Sequence, residues 1–174
     1  MSDTDALRDL LVDSFTRVHE LVGQLTDSLD EAVAGYRPDD EANPVGWLLW
    51  HLSRVQDDHV ADLAGAEQVW PDWRERFALP FDDDATGYGQ SSADAGRVRV
   101  PAALLAGYHA DVHAASLRYV QQLDATQLSR VVDDAWDPPV TAAARLVSVL
   151  GDTLQHLGQA AYVAGLARRA GLRR

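Results

Sequence analysis

The chemistry open to this 174-residue chain is set by six histidines, 27 Asp or Glu residues and an absence of cysteine. Without Cys there are no disulfides, no Cys-ligated zinc and no thiol nucleophile of the chain's own. Any thiol that takes part must come from outside. Asp152 and His156 stand four residues apart, which on a helix puts them on one face a turn apart, with Gln159 following on that face. A carboxylate and an imidazole so spaced make half of a common metal-binding arrangement in helical bundles; the spacing equally suits an ordinary surface Asp–His pair. His51 lies among Leu48, Leu52 and Val55 on an apolar stripe. There each ring nitrogen must find a partner or stay unsatisfied, so His51 is either a ligand or a core histidine bonded to a carbonyl or carboxylate. Three ligands drawn from two helices would leave coordination positions open, the pattern of a catalytic site. An ion so held can lower the pKa of a bound water or thiol and deliver a nucleophile at neutral pH.

The other four histidines compete for the same role. His109 and His113 are also four apart, but they lack the Glu that a zincin helix places beside its first His. They flank a Tyr108–Val112 stripe and could face solvent. His19 and His59 are isolated in sequence. His59 lies two turns beyond His51, about 12 Å along a helix axis, too far to bind the same ion. All four read as structural or surface residues.

Positioning these groups requires helices, and four segments carry helical periodicity. The first runs from about Thr4 to Ala34, with Leu7, Leu11, Val18, Val22, Leu25 and Leu29 inward and a Ser2/Asp5 pair resembling a capping box. The second runs from about Pro44 to Ala64, with Asn43 suited to cap it and Pro44 to its first position. The third spans about Pro101 to Leu123 on a Leu104, Tyr108, Val112, Ala115, Tyr119 stripe. The fourth spans about Thr141 to Ala170 on a Val147, Leu150, Leu154, Leu157, Ala161, Ala164 stripe, with Asp152 and His156 at its edge. Residues 66–100 form a long connection of the kind that is often functional. A second connection, 124–140, has room for one helical turn at Thr126 to Arg130. The expected fold is all-α, a four-helix bundle with a long crossover between its second and third helices.

Bulk properties narrow the setting. The length suits one domain, 1–174, and 47% hydrophobic residues suffice for a core without disulfides. A net charge of −12 repels phosphate backbones and anionic membrane surfaces, so neither nucleic acid nor membrane is an expected partner. No apolar run approaches the ~20 residues of a membrane span, and the acidic start Met1-Ser2-Asp3-Thr4-Asp5 is unlike a signal peptide. A cytoplasmic enzyme or binding protein is the expectation. All 15 basic residues are Arg, which with the abundance of Asp and Ala suggests GC-rich coding.

Two segments carry a resemblance. Asn43-Pro-Val-Gly-Trp-Leu-Leu-Trp-His51-Leu-Ser-Arg-Val resembles the second helix of the DinB-like superfamily, and Gly151-Asp152-Thr-Leu-Gln-His156-Leu-Gly-Gln159-Ala-Ala-Tyr-Val-Ala-Gly its last bundle helix. Arg76-Phe-Ala-Leu-Pro-Phe-Asp and Ala85-Thr-Gly-Tyr-Gly-Gln90 are similar to an actinobacterial branch that includes mycothiol-dependent S-transferases and maleylpyruvate isomerases. The resemblance implies a divalent metal, zinc or nickel, on His51, Asp152 and His156. It implies mycothiol or a similar thiol as co-substrate. Asp at position 152 departs from the Glu or His more common there, and being shorter it points to a looser or differently selective site. The isomerases carry an extra C-terminal domain that this sequence does not contain.

Two functions follow. One is a metal-dependent transferase that activates a small thiol against a small electrophile. Gln159 would orient a ligand or water, and Arg74, Arg76 or Tyr88 in the crossover would contact a polar or anionic substrate. The alternative is a non-catalytic metal-binding bundle. Homodimerisation through a bundle face is a further expectation, with the face not located.

Overall fold

The structure, a computed structural model, describes residues 3–172. Helix α1 (Asp3–Asp27) turns Phe15, Val18, Val22 and Leu25 inward. A short α2 (Glu31–Ala34) follows, started afresh by Asp30, whose side chain accepts a hydrogen bond from the Val33 amide. The single segment expected to reach Ala34 is therefore two helices, because a capping Asp interrupts the periodic run. Ser2 of the expected capping box lies outside the described residues.

Helix α3 (Val45–Ala64) begins one residue later than the pattern suggests. Pro44, in extended backbone, is itself the residue before the first turn, and Asn43 lies outside. Gly65 ends the helix in the left-handed conformation at φ 62°. The crossover contains a 3₁₀ turn η1 (Trp70–Asp72) and two short helices, α4 (Arg74–Phe77) and α5 (Ser92–Ala95). Helix α6 (Ala102–Val120) and the short α7 (Ala125–Ser129) come next; Asp124 and Gln127 cap α7 reciprocally. The second connection also holds an unanticipated antiparallel pair, β1 (Val131–Asp133) with β2 (Val140–Thr141). These strands are too short to show alternation in sequence. Helix α8 (Ala142–Arg169) starts on Thr141, whose hydroxyl accepts from the Ala144 amide, and closes with Arg168 and Arg169 at its negative dipole end.

Helices α1, α3, α6 and α8 pack as a bundle in which α3 and α1 each lie against both α6 and α8. Helix α3 is buried along almost its whole length, since the crossover covers the face left open by α6 and α8. Each fully buried Leu or Val of this core contributes about 1.5–3 kcal/mol. The inward face of α8 keeps Leu157 and Ala164 of the expected stripe but otherwise turns toward its neighbouring arc. Val147 and Leu154 are 65% and 50% exposed, while Leu146, Val149, Thr153 and Ala160 are buried. The helix is gripped between α1 and α3, and small Ala160, Ala164 and Ala167 on that line let the neighbours approach closely. The α6 stripe holds at its centre, where Tyr108 and Val112 are buried, but toward its ends Leu105, Ser116 and Val120 are buried where Leu104, Ala115 and Tyr119 are half-buried. No helix of the described residues is long and apolar enough to cross a membrane.

Candidate metal centre

His51 on α3 faces Asp152 and His156 on α8 across the most extensive helix–helix seam of the bundle. One ligand atom from each of the three lies within 4.8 Å of the others. The two imidazoles meet edge to face with ring centroids 4.7 Å apart. Burial grades across the group: His51 is buried, and Asp152 and His156 are half-buried.

The hydrogen bonds decide which atoms are presented. Thr86 offers a carbonyl oxygen 2.6 Å from His51 Nδ1, and a carbonyl can only accept. His51 therefore carries its proton on Nδ1, and Nε2 keeps its lone pair. Gln159 Oε1 lies 3.0 Å from His156 Nδ1 and fixes that ring in the same sense. Nε2 of His156 then sits 3.5 Å from Asp152 Oδ1. The remaining oxygen, Asp152 Oδ2, is buried without a hydrogen-bond partner. An orphaned carboxylate oxygen beside two imidazoles is a donor set that could hold a divalent cation, so the residues present fit such an ion.

Electrostatics point the same way. Burial holds His51 below the ordinary imidazole value despite the Thr86 bond, which keeps it neutral. The hydrogen bond from His156 lowers the Asp152 pKa, and Asp152 in turn raises that of His156. The pair is thus anionic carboxylate and readily protonated imidazole, and a cation entering the site takes the place of that proton.

A second layer supports the first. The Trp47 ring stacks on His51 at 4.6 Å and 16°, and its indole N–H donates to Gln90 Oε1 at 2.8 Å. Gly87, at φ +92°, passes so close that an added Cβ would stand 2.7 Å from His51 Nδ1. Only glycine fits there. Beside the group opens a cavity of about 430 Å³ lined by His51, Val55, Thr86, Tyr88, Val149 and Asp152, and extending to Asp58, His59 and Ser148.

Several expected contributors fall elsewhere. Gln159 bonds His156 directly. Tyr88 is 92% exposed at the cavity rim. Arg74 pairs with Asp83 at 2.7 Å and Arg76 lies over Trp73, so neither reaches the group. His59 lines the cavity without joining the cluster. His109 and His113 are buried at 1% and 9%, not solvent-facing, and His19 is not isolated. Its ring is stacked on His113 at 4.4 Å and on His109 at 5.6 Å. The roles of Thr86 and Gly87 were not legible, since one acts through its backbone and the other through a missing side chain. The Gly87-Tyr88-Gly89 run was the available signal.

A helical bundle with a His/Asp/His group at a helix seam defines the class: a protein whose facing helices bring together side chains that could hold a metal ion. The DinB superfamily model matches residues 14–160, and the chain belongs to that superfamily. The crystal structure of a conserved protein from Enterococcus faecalis is similar at a TM-score of 0.83 and 33% identity, covering 90% of this chain and 94% of that one. None of the curated proteins compared matches.

Proposed function

We propose that the protein is a divalent-metal-dependent transferase that joins a low-molecular-weight thiol, mycothiol or a similar one, to a small electrophile. The observation that carries this reading is the convergence of His51, Asp152 and His156, with Asp152 Oδ2 unpartnered, beside a cavity of about 430 Å³. Three protein donors leave coordination positions for a guest, and the cavity supplies the space. A divalent ion, when bound, supplies Lewis acidity that lowers the pKa of a coordinated thiol.

The chain's own residues do the rest. Burial keeps His51 neutral, and Thr86 and Gln159 orient the two rings. Val55 and Val149 give the guest apolar walls, and Tyr88 at the rim offers an aromatic face and a hydroxyl. The thiol must be external because the chain has no Cys. Mycothiol is favoured by the all-Arg composition and by the resemblance of the Arg76–Asp82 and Ala85–Gln90 segments to the actinobacterial branch. A cytoplasmic setting, where such thiols are kept reduced, accompanies this reading.

The test is elemental analysis of the protein as isolated and after chelation, followed by thiol consumption with a panel of electrophiles. Stoichiometric zinc or nickel that disappears in His51→Ala and His156→Ala, together with metal-dependent thiol loss, supports the proposal. Metal content unchanged in both variants overturns the site. Bound metal with no thiol consumed across the panel leaves a metal-binding bundle without catalysis.

A further inference from the structure

Arg54 lies one turn from His51 on α3 and is 1% exposed, yet it faces away from the cluster of ligand atoms. Its guanidinium reaches the crossover instead. Nε donates to the Ala85 carbonyl at 3.0 Å and Nη2 to the Asp84 carbonyl at 3.3 Å. Nη1 donates to Gln68 Oε1 at 2.9 Å and lies 3.6 Å from Asp57 Oδ2. Asp57 grips the other end of the same loop, accepting from the Val69 and Trp70 amides at 2.9 and 2.8 Å and from the Tyr108 hydroxyl at 2.8 Å. Trp70 closes the loop by donating its indole N–H to the Asp83 carbonyl at 2.8 Å. The next residue after the two carbonyls held by Arg54 is Thr86, whose own carbonyl accepts the Nδ1–H hydrogen bond of His51.

Resting on the metal site proposed above, we propose that Arg54 is a positioning residue that sets the tautomer of His51 by holding the 84–86 backbone against α3. Nothing else among the described hydrogen bonds ties residues 84–86 to α3 except the His51 contact itself. A free imidazole in water favours the proton on Nε2, the atom needed for the ion. Holding the Thr86 carbonyl at Nδ1 reverses that preference before any ion arrives. The fork of the guanidinium suits this task, because it engages two successive carbonyls and an amide oxygen at once.

The experiment compares wild type with Arg54→Lys, which keeps the charge beside Asp57 but, from a single nitrogen, cannot span both carbonyls and Gln68 Oε1 as the fork does. Two quantities are read on protein shown to be folded by circular dichroism: the His51 tautomer in metal-free protein, from imidazole ¹⁵N shifts at pH 8, and zinc affinity by competition with a chromophoric chelator. The expected result is loss of the single Nδ1–H form and a fall in affinity of about 10–100-fold. Gly87→Ala, which wedges the loop from the other side, should give the same two changes. If Arg54→Lys does not fold, Arg54→Gln with Asp57→Asn removes the charge pair together and carries the same readouts. An unchanged tautomer, or zinc affinity within twofold of wild type, in the folded variant overturns the proposal. Absence of zinc binding in wild type defeats the proposed function instead, and the tautomer alone then decides the role of Arg54.

Discussion

Acid should unfasten this protein at the seam between α1 and α6, and the size of the effect follows from one residue. His109 is 1% exposed, with only the Ser53 hydroxyl, 3.1 Å from Nδ1, as a hydrogen-bond partner, while its Nε2 is buried and unpartnered. His19 from α1 and His113 from α6 stand beside it as potential positive charges. Burial first, and then these two imidazoles, push the His109 pKa down to about 3. In the unfolded chain it is the ordinary 6.5, so folding excludes a proton that the unfolded state accepts. The contribution to stability is whole above pH 6.5 and is lost progressively as the pH falls toward 3. At pH 5 the loss amounts to about 2 kcal/mol, from 1.36 kcal/mol per pH unit. His113, lowered to about 4 by burial and then by His19, adds a comparable loss by pH 5, since its folded pKa also lies below that pH. The assay is urea denaturation of wild type and His109→Gln at pH 7.5 and pH 5. The variant is less stable at pH 7.5 through lost packing, but it should lose about 2 kcal/mol less than wild type on going to pH 5. Equal losses in the two proteins would refute the reasoning.

Other outcomes are accessible. Nickel or copper added to the chelated protein should quench tryptophan fluorescence, and Trp47→Phe should keep the metal while losing much of the quenching, because Trp47 stacks on His51. Asp152→Asn should retain the fold and weaken metal retention during dialysis, since it removes the anionic donor whose Oδ2 has no other partner. Leu146→Ala should lower unfolding free energy by about 2–5 kcal/mol in urea, as expected for a fully buried leucine. Tyr108→Phe should cost about 1–3 kcal/mol by stripping a hydrogen bond from the buried Asp57 carboxylate, with metal content unchanged.

What the sequence disclosed and withheld follows the kind of interaction involved. Long periodic runs announced the four main helices, and the i, i+4 relation of Asp152 and His156 needed no tertiary information. Which arc of α8 turns inward was less legible. Val147 and Leu154 match Leu146 and Val149 in residue type, so composition does not choose between them, and the packing of two neighbours selects Leu146, Val149 and Ala160. The start of α3 slipped by one residue because Pro44 takes the capping place, and Asp30 broke one expected run into two helices. The stacking of His19 against His109 and His113 joins residues ninety positions apart and leaves no local pattern. The same holds for the Arg54–Asp57–Tyr108 network, in which a charged pair on α3 looks like a solvated face until the crossover covers it.

Adjacent positions in the crossover live under opposite rules. Gly87 is confined by three aromatic rings and accepts no side chain, while Tyr88, its neighbour, touches almost nothing and accepts any. Divergence among descendants of this chain can therefore run freely at the entrance without disturbing what lies beneath. Directed evolution toward new guests has a natural first library: saturate position 88, leave 87 alone, and let the helices keep their grip on the interior.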